Sequence, residues 1–354
     1  MTRKSGSQKS ADGAYLPNRS GTHGAPAEGS VCSDRGNRQR PAQERENIEI
    51  IQVASWVDGS FPSPGAPWLV HGFSTRSGAP AKSLRRGAAS GPARTCRNLD
   101  FNLGFTQGAS REAVMKNRER FLRSLCGDRA GFDLVTIRQV HSSLIWRVGR
   151  EAASAESQLT GDGLITDKPG LLLGILTADC VPVLVADLRK AAVGAFHAGW
   201  LGAVDRIVEK GVGRMRMEFG SRPEDLVAAI GPRIGPCCYP VGEEVRQRFE
   251  AQFDYAGELF REVYDSDPVR RKYPMLFLTA RAPGHSDLGP ATHLDLADAN
   301  RRQLMAAGLR PEAIHSIGEC TSCSPRRFFS YRREQALSGR MMSVIGIRPS
   351  PGSS

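Results

Sequence analysis

The amino-acid sequence predicts a single mixed α+β domain preceded by a disordered tail. Three observations carry that prediction. Residues 1–47 are rich in Ser, Gly, Arg, Gln and Asn and poor in apolar side chains, so they cannot bury enough surface to offset the entropy of ordering. From Ile48 onward, short apolar runs alternate with segments of helical periodicity. No internal repeat and no linker-like break divides the stretch 48–347, and a Pro/Ser-rich tail closes the chain at 348–354.

The elements follow in order. A Gly/Ala/Arg/Ser-rich stretch, 79–97, reads as a mobile loop within the domain. Ser110 is a candidate N-cap for a first helix, because Val114, Phe121, Leu122 and Leu125 then share one face. Residues 134–140 are rich in β-branched side chains and read as a strand, and 171–176, 181–186 and 191–196 are apolar runs of buried-strand type. A second helix is expected over 203–219, where Val204, Ile207, Val208, Val212, Met215 and Phe219 recur at helical spacing. Further strands are expected at 226–230, 275–278 and 342–347. A third helix starts after Asp295, its natural cap, buries Leu296 and Leu304, and stops at Gly308.

Composition narrows the functional classes. The chain has 354 residues, a 40% apolar share, a formal charge of +11 and eight cysteines. The charge favours anionic partners such as phosphate or nucleotides. The basic residues are scattered, however, and no nucleic-acid module is recognisable, so no nucleic-acid partner is expected. Irregular cysteine spacing does not fit a small disulfide-stapled secreted domain. The first residues lack the apolar core of a secretory signal. No run approaches the roughly 18 apolar residues of a membrane span. The expectation is a cytoplasmic protein with no membrane association, monomeric or dimeric.

Chemistry concentrates in three segments: Gln139-Val140-His141-Ser142, Thr177-Ala178-Asp179-Cys180-Val181-Pro182 and His197-Ala198-Gly199-Trp200-Leu201-Gly202. Each places His141, Cys180 or His197 at or next to the end of an expected strand, where side chains from distant segments can converge. Two imidazoles and a thiolate suit zinc and also copper. Three protein ligands leave a fourth tetrahedral position open, the pattern of a catalytic metal. The separations of 39 and 17 residues match no zinc-finger spacing. Residue types alone leave a rival open, a Cys180 nucleophile with His141 or His197 as its base. They equally leave open a buried cysteine and two ordinary histidines. Cys320-Thr321-Ser322-Cys323 has C-x-x-C spacing, but a structural zinc needs two more ligands. Cys237-Cys238 reads as turn and core packing, and His285 and His293 as residues of a polar loop region.

At these residues the chain resembles the laccase-domain family, also called multicopper polyphenol oxidase-like or peptidoglycan-editing-factor proteins. The ordered match spans about 70–346. Beyond the three segments above it includes His71-Gly72-Phe73-Ser74-Thr75-Arg76, Asn98-Leu99, Asn117-Arg118 and 162–166. It continues with 234–239, 294–296, Cys320-Thr321 and Phe328-Phe329-Ser330-Tyr331-Arg332. The resemblance implies a four-layer α-β-β-α sandwich with His141, Cys180 and His197 binding zinc, copper being the alternative. It implies phosphorolysis of adenosine, inosine, guanosine and methylthioadenosine, and deamination of adenosine, with purine nucleosides and phosphate as the small-molecule partners. Alternative activities are copper-dependent phenol oxidation and Cys180 thiol hydrolysis of cell-wall precursors; a non-enzymatic binding module is a fourth class. Two departures stand out: Ser77-Gly78 replaces the family's Gly-Gly before an extra stretch to Arg97, and Leu201 replaces the Arg of Trp-Arg-Gly.

Phosphorolysis asks for a phosphate grip, which favours arginine's planar fork. Arg76 and Arg332 are the candidates, with an ordinary salt bridge as the other reading of each. Asp162 and Asp179 are candidates for acid/base chemistry or for orienting a ligating histidine from behind; Asp179 equally suits capping of the turn that follows. Gln139, two residues before His141, falls on the same face if the strand continues, and is a candidate substrate contact.

Overall fold

A computed structural model of the chain describes residues 48–58, 66–77, 101–127, 131–154, 159–263 and 291–349. The expected tail 1–47, the loop 79–97, Asn98-Leu99, the strand 275–278, His285 and residues 350–354 lie outside them. Arg348, expected in the closing tail, donates its backbone N–H to the Trp68 carbonyl at 2.7 Å.

The strands are β1 Ile50–Ile51, β2 Leu69–Ser74, β3 Asp133–Thr136, β4 Ile145–Arg147, β5 Gly163–Thr166, β6 Leu171–Thr177 and β7 Val181–Asp187, then β8 Ala192–Ala198, β9 Leu226–Ile230, β10 Phe260–Val263, β11 Ala291–Leu294, β12 Ile314–Ser316 and β13 Met341–Ile347. The helices that frame them are α1 Ala54–Asp58, α2 Arg111–Cys126, α3 Glu151–Ser154, α4 Trp200–Val204, α5 Ile207–Phe219, α6 Glu243–Glu250, α7 Ala256–Leu259, α8 Leu296–Ala306 and α9 Tyr331–Glu334.

Two sheets form the centre. One is five-stranded in the order β1-β2-β13-β6-β3, and the other six-stranded in the order β12-β9-β7-β8-β5-β4. Their facing sides share one apolar core, built from Phe73, Leu173, Ile175 and Ile345 of the first sheet and Leu164, Leu184, Val193 and Ala195 of the second. Alternate residues point away from that core. Those of the first sheet, Val70, Leu172 and Val344, meet Phe121 of α2. Those of the second, Val183, Val185 and Phe196, meet α5 through Val208 and Val212 and α8 through Leu304. The stack is therefore helix, sheet, sheet, helix. Strands with both faces buried read as continuous apolar runs, which is why β6 to β8 are plain in the sequence.

Two expected helices have the expected starts. The Ser110 hydroxyl accepts from Ala113 N at 3.4 Å, and the Asp295 carboxylate accepts from Asp298 N at 3.1 Å. Gly308 follows α8 with φ of 99°, the left-handed conformation a helix stop requires.

Two expectations need correction. The helix expected at 203–219 is two helices. Arg206 sits between α4 and α5 with φ of 59°, held there by donation from its guanidinium to the Gln252 carbonyl at 2.6 Å and by stacking on Phe253. The strand expected at 134–140 stops at Thr136. Beyond it, the Gln139 side chain rather than the backbone pairs with β6: its amide donates to Leu176 O at 2.8 Å and its carbonyl accepts from Leu176 N at 2.7 Å. Among the described residues, no helix is long and apolar enough to cross a membrane.

Candidate metal centre

Strand register brings the site together. In the second sheet β8 runs antiparallel to β7 and β5, pairing Pro182 with His197 and Gly163 with Phe196. The end of β8 therefore lies beside the starts of both neighbours. Cys180, just before β7, falls opposite Gly199, and Asp162, just before β5, falls beside His197, whose backbone N–H donates to the Asp162 carbonyl at 2.8 Å. His141 arrives from the loop between β3 and β4.

That loop is shaped by one carboxylate. Asp162 has no exposed surface. Its Oδ2 accepts from Val140 N at 3.2 Å, Ser142 N at 2.6 Å and the Ser142 hydroxyl at 2.8 Å. Its Oδ1 accepts from His141 N at 3.0 Å and from His197 Nδ1 at 2.7 Å. Three successive N–H groups wrapped on one carboxylate form a tight nest, and this pulls the chain out of the sheet after Thr136. The nest puts His141 at φ of 60°, a left-handed conformation few residues other than glycine adopt. With Nδ1 committed to Asp162, His197 presents Nε2 to the centre.

The three donor atoms of His141, Cys180 and His197 lie within 4.8 Å of one another. His141 Nε2 is 3.7 Å from Cys180 Sγ, and the two imidazoles meet edge to face at 4.9 Å between centroids. His197 is buried, Cys180 half-buried and His141 exposed, so the cluster opens to solvent on one side. Gly199 has no room for a side chain: a Cβ there would lie 2.7 Å from His141 Cδ2 and 3.2 Å from Cys180 Sγ.

The residues fit a zinc or copper ion: two imidazoles, one thiolate and a carboxylate behind one imidazole are a recurrent metal environment. Protonation states in the metal-free cluster point the same way. Burial opposes a charge on Cys180, but the neighbouring His197 cation and hydrogen bonds from both histidines bring its thiol down to about 6. Burial likewise opposes a charge on His197, and Cys180 and Asp162 raise it to about 9. Burial would raise Asp162, yet its hydrogen bonds from His197 and Ser142 hold it at about 2. Its geometry is that of a group orienting His197 and the loop bearing His141.

The other expected site residues divide. Asp179 lies next to Cys180 with φ of 100°, and its carboxylate accepts from the Thr321 hydroxyl and from Arg332 N, both at 2.6 Å. It ties the Cys180 turn to two distant segments. Arg332 thereby sits close to the ligands in the fold. Its exposed guanidinium lies over the Tyr239 ring and donates to Pro240 O at 3.2 Å. Arg76 is spent on structure: it pairs with Glu334 at 2.6 Å, donates to Pro325 O at 2.9 Å and stacks on Phe329. These are the contacts of its salt-bridge reading. Gln139 holds Leu176 with both ends of its amide and so fastens the loop that bears His141. His71 of the matched His-Gly-Phe-Ser-Thr-Arg stretch is a core residue that accepts from Val53 N at 2.9 Å.

Two groups near the thiolate escaped the sequence reading. Burial raises the Tyr239 phenol, and the Cys180 charge raises it further. Burial lowers the half-buried Arg340 guanidinium, and the Cys180 charge opposes that. Tyr239 ends the matched stretch 234–239 but was given no role, and Arg340 precedes a strand without a local signal.

A family model described as multi-copper polyphenol oxidoreductase laccase matches residues 71–348. The chain is 32% identical over 304 residues to the purine nucleoside phosphorylase YlmD of Geobacillus stearothermophilus, covering 84% of this chain and 96% of that one. It is 35% identical over 254 residues to a purine nucleoside phosphorylase of Bacteroides thetaiotaomicron, covering 70% and 84%. The crystal structure of the Bacillus licheniformis hypothetical protein YfiH superposes with a TM-score of 0.61 at 30% identity, over 79% of this chain and 93% of that one.

Proposed function

The chain belongs to the multi-copper polyphenol oxidoreductase laccase family, and on that premise we propose that it is a metal-dependent purine nucleoside phosphorylase with adenosine deaminase activity. The carrying observation is the three-ligand cluster, His141, Cys180 and His197, with one solvent-facing side. These residues would hold zinc, with copper as the alternative. An ion held there would supply Lewis acidity, to activate water or polarise the leaving group. Relatives named purine nucleoside phosphorylase support the substrate class.

The chain's own residues do the rest. Asp162 fixes the tautomer and direction of His197 and the loop carrying His141. The substrate approaches from the side where His141 is exposed. In phosphorolysis the phosphate oxygen bonds to the ribose C1′ as the bond from C1′ to the base breaks, and the base leaves with the electron pair and takes a proton. Positive charge grows on the sugar, so an adjacent phosphate dianion stabilises the transition state. Arg332, anchored through its backbone to Asp179 beside Cys180, is the proposed phosphate contact. In deamination water adds at C6 and ammonia departs.

One observation favours a second reading. Cys180, His197 and Asp162 line up as nucleophile, base and orienting carboxylate, the arrangement of a thiol hydrolase. The second imidazole, His141, at the same sulphur favours metal binding instead.

Incubation of the purified protein with adenosine, inosine, guanosine and methylthioadenosine, with and without phosphate, tests the proposal. Free base with ribose 1-phosphate, or methylthioribose 1-phosphate, is expected only with phosphate, and inosine from adenosine without it. No base release under either condition, together with hydrolysis of amide substrates by a metal-free protein, rejects the phosphorylase in favour of the hydrolase.

A further inference from the structure

Four further cysteines converge away from the His-Cys-His cluster. Cys237 and Cys238 lie in the turn after β9, and Cys320 and Cys323 in the turn after β12. Their four sulphurs all lie within 4.8 Å of one another. We propose that these four thiolates bind a second metal ion, zinc, in a closed structural site.

The backbone builds the cluster from two segments about eighty residues apart. Arg233 and Cys320 form a parallel bridge, reinforced by Thr321 N donating to Arg233 O at 2.9 Å. That pairing sets the C-x-x-C turn against the turn closed by Cys238 N and Gly235 O at 3.0 Å. The His293 imidazole holds Pro236 O at 2.6 Å, immediately before the first cysteine.

The sulphur geometry is that of a site for an ion. Cys323 Sγ lies 3.5 Å from Cys237 Sγ and 3.4 Å from Cys238 Sγ. Tetrahedral zinc, with bonds of about 2.3 Å, needs sulphur separations of about 3.8 Å, a few tenths of an ångström wider. Gly235 N–H donates to Cys320 Sγ at 3.2 Å, the kind of contact that steadies a ligating thiolate. Four thiolates around a dication leave net negative charge. Arg333, itself paired with Glu334 at 2.8 Å, braces the C-x-x-C turn by donating to the Thr321 and Ser322 carbonyls at 3.0 and 2.7 Å.

Disulfides fit the same atoms poorly. Neighbouring residues have Cα atoms about 3.8 Å apart across a trans peptide, short of the roughly 4.4–6.8 Å a disulfide spans, which disfavours a Cys237–Cys238 bond. Cys323 stands nearly equidistant from both of them, and pairing with either leaves two thiols over. A single ion satisfies all four.

The proposed site bears on the first centre by positioning. Ile234 N donates to Asp179 O at 2.8 Å, and the Thr321 hydroxyl donates to the Asp179 carboxylate. Both donors belong to the segments that the second ion would fasten, and Asp179 adjoins Cys180. The ion would thus lock the turn that presents the Cys180 ligand.

The test is metal content by mass spectrometry on full-length chain purified under reducing conditions without chelator. Two ions per chain are expected for the unaltered protein, and one each for Cys180→Ala and Cys323→Ser. Cobalt alone, loaded into stripped Cys180→Ala protein, should show the intense thiolate charge-transfer absorption of a four-sulphur site, and Cys323→Ser should lose it. If Cys323→Ser does not fold, the Cys180→Ala protein decides: one retained ion supports the site, and none overturns it. A disulfide among the four cysteines in the reduced protein, seen as a mass two daltons lower per bond, also overturns it.

Discussion

The His141-Cys180-His197 centre and the Cys237-Cys238-Cys320-Cys323 cluster are linked through Asp179, yet they are built differently. The first has three ligands, and behind it stands a fully buried carboxylate taking hydrogen bonds from His197, Val140, His141 and Ser142. The second has four ligands on surface turns, two of them exposed, with backbone N–H groups and an arginine for support. With the proposed ions bound, the first would leave a coordination position for chemistry and the second would fill its own. Ligand number and what stands behind each ligand separate a reacting centre from a clamp.

Removing one sulphur from each region breaks the comparison most sharply. Cys180→Ala should lower nucleoside turnover by at least about 10³-fold, the several kcal/mol a Lewis acid supplies. Cys323→Ser should cost far less, about tenfold, because it acts only through Asp179. Steady-state kinetics of the two variants check this; equal losses would erase the distinction.

Asp162→Asn tests the support of the first centre. It should weaken metal binding by about 10–100-fold, measured by competition with a chelator, and lower stability by about 3 kcal/mol. The sign with pH follows from the carboxyl being held at about 2 against an ordinary 3.8. In metal-stripped protein this stabilisation, on the order of 2–3 kcal/mol, is complete above about pH 4 and is lost as pH falls through about 2. Urea unfolding between pH 5 and 2 should show that loss in the unaltered protein and not in the variant.

The stripped protein also exposes the thiol. Alkylation of Cys180 should reach half its maximal rate near pH 6, where the thiol titrates, and metal should suppress it. Half-maximal reaction near pH 9 would show that His197 does not stabilise the thiolate.

Smaller effects sharpen the same contrast. Gly199→Ala drives a methyl against His141 and Cys180, so metal affinity should fall about tenfold with the fold kept. Arg76→Leu should cost about 1 kcal/mol of stability, from its pair with Glu334 and its stack on Phe329, and leave the KM for phosphate unchanged. A raised KM would return Arg76 to the substrate site.

What the sequence disclosed depended on the range of the interaction. β6 to β8 were legible because strands buried on both faces are uninterrupted apolar runs, and α2 because Ser110 caps it locally. The break at Arg206 was not, because a left-handed arginine carries no glycine signal and its partners, Gln252 and Phe253, lie far along the chain. Residues 137–140 looked like strand because Ile137 and Val140 favour one; the carboxylate that peels them away is at position 162. His141, Cys180 and His197 stood out as residue types near expected strand ends, although His141 lies in the loop after β3. The four-cysteine cluster was not, since a C-x-x-C pair lacks two ligands until the bridge between Arg233 and Cys320 supplies them. The Arg76 pair was hidden for the same reason, its partner Glu334 being a distant residue.

Anomalous scattering at the zinc and copper absorption edges, from crystals grown without added metal, tests the metal centre most directly. A peak is expected about 2.0–2.3 Å from the imidazole nitrogens of His141 and His197 and from Cys180 Sγ, with a fourth, non-protein neighbour on the solvent side. A crystal with no peak at that position, its Cys180 engaged only by hydrogen bonds to the two histidines, would contradict it.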